Sequence, residues 1–347
     1  MNDSKTPQKT VSLALQGGGS HGAFTWGVLD TLLADGRLRL DGISGASAGA
    51  MNAVVLGAGF AQFPDDPSAA RQAARETLAV FWRKVARMGE ASKLQRGWAQ
   101  MWLSGWRASG ASLSPYQFNP LDINPLRELL GSSVDFKKLA KAASPQIHVC
   151  ATHVNTGKAE IFSGKRLTEA AVMASACLPT LFRAVEIEGE HYWDGGFSGN
   201  PALHPLIYKA QASDIVLIQI NPLERNAVPD NESEIMDRVN ELTFNASLLA
   251  QMRSIDFVNR LIAKGHLPPE RYRTVRLHRI DGGEALEAYP ASTKANADGK
   301  LIESLFELGQ LCSQRWLQKH YDEIGVASSI NISKDYLDDM RMGHPSD

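Results

Sequence analysis

The sequence predicts an α/β fold, with a central, mostly parallel sheet flanked by helices and an α-helical insertion. Three observations carry this reading. The first sixty residues hold two tandem units of strand, small-residue turn and helix, and such βα repetition builds parallel sheets with helices packed on their faces. Apolar runs of strand length, bounded by turn residues, return after residue 146. Between them, residues 61–140 offer helical spacing and no good strand.

In chain order, VSLALQ (11–16) reads as a buried strand and GGGSHG (17–22) as a glycine loop. FTWGVLDTLLADG then forms an amphipathic helix closed by Gly36. Residues 38–44 make a second strand, which feeds Gly45-Ala46-Ser47-Ala48-Gly49 and a helix from Ala48 to about Phe60. In the insertion, Trp98, Trp102 and Trp106 fall at i, i+4 and i+8, which puts three indoles on one helix face. The insertion is expected to lie over the sheet. Asn124 and Pro125 supply an N-cap and first position for a helix through Leu130.

QIHVCATHVNTG and AEIFSG resume the sheet around a turn, and LTEAAVMASACL is a helix that stops before Pro179. Residues 184–193 read as a hairpin delivering Asp194-Gly195-Gly196, and 214–220 as a strand. A long helix at about 232–263, a strand at 273–280 and a helix at 298–320 follow. A single domain is expected over 11–320, with polar tails at 1–10 and 321–347.

Lys and Arg number 36 against 38 Asp and Glu, so the chain lacks the basic excess that points to nucleic acid. The N-terminal residues show no positive, apolar and small-residue succession of a signal peptide. No apolar stretch reaches the ~18 residues a bilayer span needs. Three widely spaced cysteines, Cys150, Cys177 and Cys312, fit reduced thiols. A cytoplasmic location is expected, with any membrane contact peripheral and the oligomeric state open.

Gly-x-Ser-x-Gly between a strand and a helix is the pattern of a nucleophile elbow, in which a strained turn lifts a serine hydroxyl into a pocket. It makes Ser47 the candidate nucleophile, with Gly45 and Gly49 allowing the close backbone approach. The same pattern also serves as a plain small-residue turn. Gly17-Gly18-Gly19-Ser20-His21-Gly22 matches Gly-x-Gly-x-x-Gly, the dinucleotide fingerprint. A cofactor protein wants an acidic residue at the end of the second strand, however, and here that place leads into the elbow. Free N–H groups at a helix start suit the oxyanion of acyl transfer equally well. Asp194, in Trp-Asp-Gly-Gly, reads either as an ordinary turn residue or as a carboxylate aimed by flanking glycines.

Glycine loop, serine elbow one βα unit later, and a distant Asp-Gly-Gly together resemble the patatin-like phospholipase family. VSLALQGGGSHGAF, DGISGASAGAMNA, ASACLPTLF and YWDGGFSGNPAL carry the likeness. The resemblance implies a three-layer fold and a serine hydrolase with a Ser–Asp dyad, without cofactor or metal. Ser47 is then the nucleophile and Asp194 the base. The loop Gly17, Gly18, Gly19, Ser20, His21 and Gly22 forms the oxyanion hole, centred on the Gly18 and Gly19 amides, and Gly195 and Gly196 support the base. One departure stands out: the family's loop usually carries Arg or Lys where this chain has His21. With an ordinary pKa of ~6.5, histidine is a weaker cation for an anionic head group. A purely local hydrogen-bonding role for His21 is the alternative.

A Ser–Asp–His triad is the rival, with His204, His266, His278 and His320 downstream, but an α/β-hydrolase elbow follows several strands rather than one βα unit. The expected activity is hydrolysis of phospholipid or lysophospholipid acyl esters. Shorter or hydroxy-acyl esters, including polyhydroxyalkanoate oligomers, are the alternative within the enzyme class. A non-catalytic lipid-binding protein and a nucleotide-binding oxidoreductase stand outside it. Trp98, Trp102 and Trp106 are candidates for the acyl pocket or a membrane contact, although such a stripe is commonly core.

Overall fold

The computed structural model describes residues 8–107, 114–119, 122–141, 145–225 and 227–337; the side chains of 91–107, Phe118 and Ser233 lie outside the description. Its sheet has eight strands. They are β1 (Lys9–Leu15), β2 (Leu38–Ala46), β3 (Gln146–His153), β4 (Ala159–Ser163), β5 (Val185–Ile187), β6 (Glu190–Asp194), β7 (Asp214–Gln219) and β8 (Arg276–Asp281). The order runs β5-β6-β3-β2-β1-β7-β8, with β4 beside β3. From β3 to β8 every pairing is parallel, while β4, β5 and β6 are antiparallel additions.

Alternation along the central strands sends side chains to two separate cores. Val11, Leu13, Leu15, Val216 and Ile218 face one of them, and Ala14, Ile215 and Leu217 face the other. The first core is covered by α1 (Gly22–Asp35), α2 (Ala48–Phe60), the long α3 (Pro67–Arg107) and the helix Gly299–His320. The second is covered by the helix Glu232–Ala263, the short helix His204–Tyr208 and the turn Ser333–Leu337. The result is the three-layer α/β architecture expected from the strand pattern.

Two expectations fail. The insertion does not lie chiefly on the sheet: α3 packs on α1 and α2, burying Leu78, Phe81, Trp82 and Val85 in the first core. The small residues of α2 explain this, because they leave room for a second helix layer. Gly59 meets the α3 backbone at Ala74, and Trp82 Nε1 donates to Asn52 Oδ1 at 2.9 Å. Nor is 321–337 a polar tail. Tyr321, Ile324, Ile332 and Tyr336 are buried, and the Tyr336 hydroxyl donates to Gln219 Oε1 at 2.6 Å. Its apolar anchors are too widely spaced among polar residues to form a periodic pattern.

Register determines what meets at the top of the sheet. Ala46, the last residue of β2, pairs with Cys150 of β3, and Asp194, the last residue of β6, pairs with the next residue, Ala151. The ends of β2 and β6 therefore meet at the carboxyl end of the parallel strands, where open α/β sheets place their sites.

Candidate active site

Ser47 stands between β2 and α2 with φ 53° and ψ −123°. An L-residue holds this left-handed conformation only when its surroundings impose it. Here the Ser47 amide donates to both the carbonyl (3.1 Å) and the hydroxyl (2.9 Å) of Ser175, whose own hydroxyl donates to the Cys150 carbonyl at 2.6 Å. The Met51 amide closes the first turn of α2 on the Ser47 carbonyl at 3.0 Å. Gly49 is required by contact, since a Cβ there would overlap the Leu15 carbonyl of β1. Gly45 faces the backbone of Gly49 and Ala50.

Asp194 is fully buried. Its Oδ1 accepts the Gly196 amide at 2.7 Å, its own amide donates to the Cys177 carbonyl at 2.8 Å, and Thr152 Oγ1 donates to its carbonyl at 2.7 Å. The residue is thus held through its amide, its carbonyl and one carboxylate oxygen. Among the described residues Oδ2 has no hydrogen bond of normal geometry, yet the Ser47 hydroxyl is near enough to favour the ionised carboxylate. Burial outweighs that contact and the Gly196 amide together, and raises the pKa from 3.8 to about 7. A carboxylate so placed is a stronger base than an exposed one.

The glycine loop abuts the elbow, because a Cβ on Gly17 would lie 2.7 Å from Ser47 Cβ. The Gly17 amide donates to Asn200 Oδ1 at 2.6 Å, the His21 amide to the Gly18 carbonyl at 3.1 Å, and the Gly22 amide to the carbonyls of Gly19 and Ser20. Gly17, His21 and Gly22 therefore drop out as substrate donors, which corrects the broader expectation for the loop. The amides of Gly18 and Gly19 head the turn and α1 follows directly.

His21 is buried and not a cation. Burial, with Lys294 and Arg225 nearby, lowers its pKa from 6.5 to about 3. Thr293 Oγ1 gives its proton to the Pro290 carbonyl at 2.7 Å, so it accepts from His21 Nε2–H at 2.7 Å. His21 thus has the local hydrogen-bonding role and does not replace the missing Arg or Lys. Of the rival histidines, His278 lies within hydrogen-bond reach of Asp214 (3.1 Å) and His320 of Glu323 (2.8 Å). His204 and His266 are exposed on the short helix and a turn. None of the four is among the described partners of Asp194.

A shell of buried amides supports the loop. Gln16 Oε1 accepts the amides of Ile220 and Asn221, both at 2.9 Å, and Asn221 Nδ2 donates to the Gly17 carbonyl at 2.8 Å. Lys294 Nζ donates to Asn221 Oδ1 at 2.7 Å. Sequence reasoning missed this shell. Gln16 and Asn221 left a signal, as polar residues at the carboxyl ends of buried strands. Asn200 and Ser175 lay inside recognised blocks without a role, and Lys294, in ASTKANAD, left no signal. Trp98, Trp102 and Trp106 fall on the α3 backbone, but their side chains lie outside the described residues. A cavity of about 640 Å³ between the Glu232–Ala263 helix and residues 284–291 is lined by Arg225, Asp237 and Glu241, not by Ser47 or Asp194.

A family model, patatin-like phospholipase, matches residues 13–207, more than half of the 347 residues. The chain belongs to that family. Lipid acyl hydrolysis is accordingly its class of activity. No curated protein matches the chain. Among solved structures, VipD from Legionella pneumophila is similar over 97% of this chain and 74% of its own, with 14% identity and a TM-score of 0.37, too loose a likeness to carry an argument. In this patatin-like phospholipase the matched region contains Ser47, Asp194 and the glycine loop, whereas Asn221 and Lys294 fall beyond it. No described helix is long and apolar enough to cross a membrane.

Proposed function

We propose that the protein is a serine acyl hydrolase acting on fatty acyl esters of phospholipids or lysophospholipids, with Ser47 as nucleophile and Asp194 as general base. One observation carries the reading: a buried carboxylate with a bare Oδ2 stands beside a serine held at positive φ. In the first half-reaction Ser47 Oγ attacks the acyl carbonyl carbon while its proton passes to Asp194 Oδ2. The amides of Gly18 and Gly19 hold the oxyanion, an effect worth roughly 10²–10³ in rate per donor. Collapse breaks the ester bond, and the departing alcohol takes the proton from Asp194. Water then attacks the acyl-enzyme, gives one proton to Asp194, and releases the fatty acid as that proton returns to Ser47.

Preference for a lipid substrate is supported by apolar surface beside the base. Phe197 follows Gly196 and is 38% exposed, and its ring lies 5.3 Å from that of Phe244 on the Glu232–Ala263 helix. Such a surface suits acyl chains at an aggregate interface.

Ser47→Ala and Asp194→Asn variants, verified as folded by circular dichroism, are expected to lose at least 10³-fold in kcat on lysophospholipid. Hydrolysis at the wild-type rate by either variant refutes the dyad. A fluorophosphonate probe is expected to label Ser47 in the wild type. Release of fatty acid from a chain-length series in micelles and vesicles tests the lipid preference, and a rate insensitive to chain length counts against it.

A further inference from the structure

Among the described residues, Lys294 is a cation without an anion. Its residue retains some exposure, but its ammonium group is closely surrounded, and among the described residues it forms no ion pair within 4 Å. Its hydrogen bond goes to a neutral side chain, Asn221 Oδ1, at 2.7 Å. Glu241, the nearest carboxylate in electrostatic effect, is already held by Arg225 and by Arg238. Placing an ammonium against an amide in a crowded site has a cost that a carboxylate partner ordinarily offsets. Where the fold retains such a group, a negative charge that forms during reaction is a natural reason.

The bonds lead to that place. Lys294 Nζ donates to Asn221 Oδ1, Asn221 Nδ2 donates to the Gly17 carbonyl at 2.8 Å, and the Gly17 carbonyl shares its peptide unit with the Gly18 amide. A charge on the oxygen end of an amide strengthens the N–H at its other end, and successive amides pass this polarisation on. The 3₁₀ turn Ala291–Ala295 that carries Lys294 also packs on the loop directly: a Cβ on Gly19 would overlap the Lys294 carbonyl, and Thr293 holds His21.

We propose that Lys294 is a positioning residue for hydrolysis at Ser47, its charge acting through the Asn221 amide to polarise the Gly17–Gly18 peptide and strengthen the Gly18 N–H toward the oxyanion. The inference rests on the assignment of Ser47 and the Gly18 amide made above. It gives the glycine loop a cation from a distant segment, at a point where His21 is neutral.

Several titratable or charged groups face Lys294. His21 comes from the glycine loop, Arg225 from the segment after β7, and Asp237 and Glu241 from the Glu232–Ala263 helix. Burial lowers the Lys294 pKa from 10.5 to about 8; Glu241 and Asp237 oppose that shift and Arg225 adds to it. His21 stays neutral above about pH 3, while Glu241 is pushed further toward its ionised form and Arg225 toward its charged form. Raising the pH through about 8 therefore discharges the ammonium, and the rate falls.

The test compares the full chain with Lys294→Met, Lys294→Arg, Asn221→Ala and the Lys294→Met/Asn221→Ala double variant. Hydrolysis of p-nitrophenyl butyrate is followed from pH 6 to 10, and thermal melting monitors each fold. Lys294→Met is expected to lose about tenfold in kcat at pH 7 with KM within about twofold, since the donor is weakened and not removed. Its alkaline fall disappears, and Lys294→Arg keeps most of the rate and carries it to higher pH. The double variant loses no more than the worse single one, as members of one relay must. A packing role would lower all pH values alike and leave the alkaline fall in place, which overturns the proposal. If Lys294→Met does not fold, Lys294→Arg decides alone: persistence of the fall near pH 8 refutes the relay. Should Ser47→Ala hydrolyse the ester like the wild type, the dyad and the relay fall together. An inactive Ser47→Ala beside a fully active Lys294→Met removes only the relay.

Discussion

At the scale of the residue, Asp194 makes opposite demands on stability and on reaction. Its pKa of about 7 lies above the value of 3.8 it has when exposed, so the folded chain binds its proton more tightly than the unfolded chain. Stability from this group is complete below about pH 4 and is lost as pH rises through 7. Each unit of elevation corresponds to about 1.4 kcal/mol. Asn at 194 keeps an oxygen for the Gly196 amide and carries no charge to bury. Asp194→Asn is therefore expected to be inactive and more stable than the wild type by about 2 kcal/mol or more at pH 8, with the difference vanishing near pH 4; urea titrations at the two pH values measure it. On the proposed mechanism activity has the reverse dependence, because the base must be ionised. The wild-type kcat/KM is expected to fall tenfold per pH unit below about 7 and, through Lys294, to decline again above about 8. Cys150, next to Gly195, takes no part, since burial pushes its thiol up to about 12.

At the scale of the element, α1 is fixed by a contact far from the reacting atoms. A Cβ on Gly27 would overlap the Phe306 carbonyl, and a Cβ on Gly309 would overlap the Phe24 carbonyl. The helix Gly299–His320 and α1 thus cross backbone to backbone at two glycines, and either alanine forces the pair apart. Gly309→Ala is expected to destabilise the fold by about 3 kcal/mol, the upper end of ordinary overpacking, as read from the urea midpoint. Since the glycine loop opens α1, the same variant is expected to lower kcat at temperatures where it remains folded. The far-end contacts of 321–337 act similarly on the second core. A chain ending at residue 320 loses Ile332 and Tyr336 from that core and leaves Gln219 without the tyrosine hydroxyl. Its thermal midpoint is expected to drop by several degrees.

At the scale of the whole molecule, the layers were legible because strand periodicity and small-residue turns are local signals. VSLALQGGG and DGISGASAG announce both their strands and their turns, and the Trp-Asp-Gly-Gly hairpin announces a carboxylate at a strand end. What escaped reading is non-local. No spacing tells that α3 packs on helices, that Tyr336 returns to β7, or that His21 loses its charge, since each depends on neighbours outside the local pattern: Asn52 lies 30 residues before Trp82, Gln219 lies 117 before Tyr336, and Thr293 lies 272 after His21. Lys294 is a further case, with a partner 73 residues earlier in the chain. The paired glycines of α1 and the Gly299–His320 helix extend the same point to the order of synthesis. The glycine loop leaves the ribosome before the helix that clamps α1, which follows ~300 residues later, roughly 15–60 s at ordinary elongation rates. For about two thirds of that interval β1 lacks its β7 neighbour, and until near its end the loop lacks both its clamp and its lysine. On the proposed reading, hydrolysis thus waits until residues 299–320 have been made, and a nascent chain beside a lipid bilayer holds the Ser47 turn before it holds an assembled site.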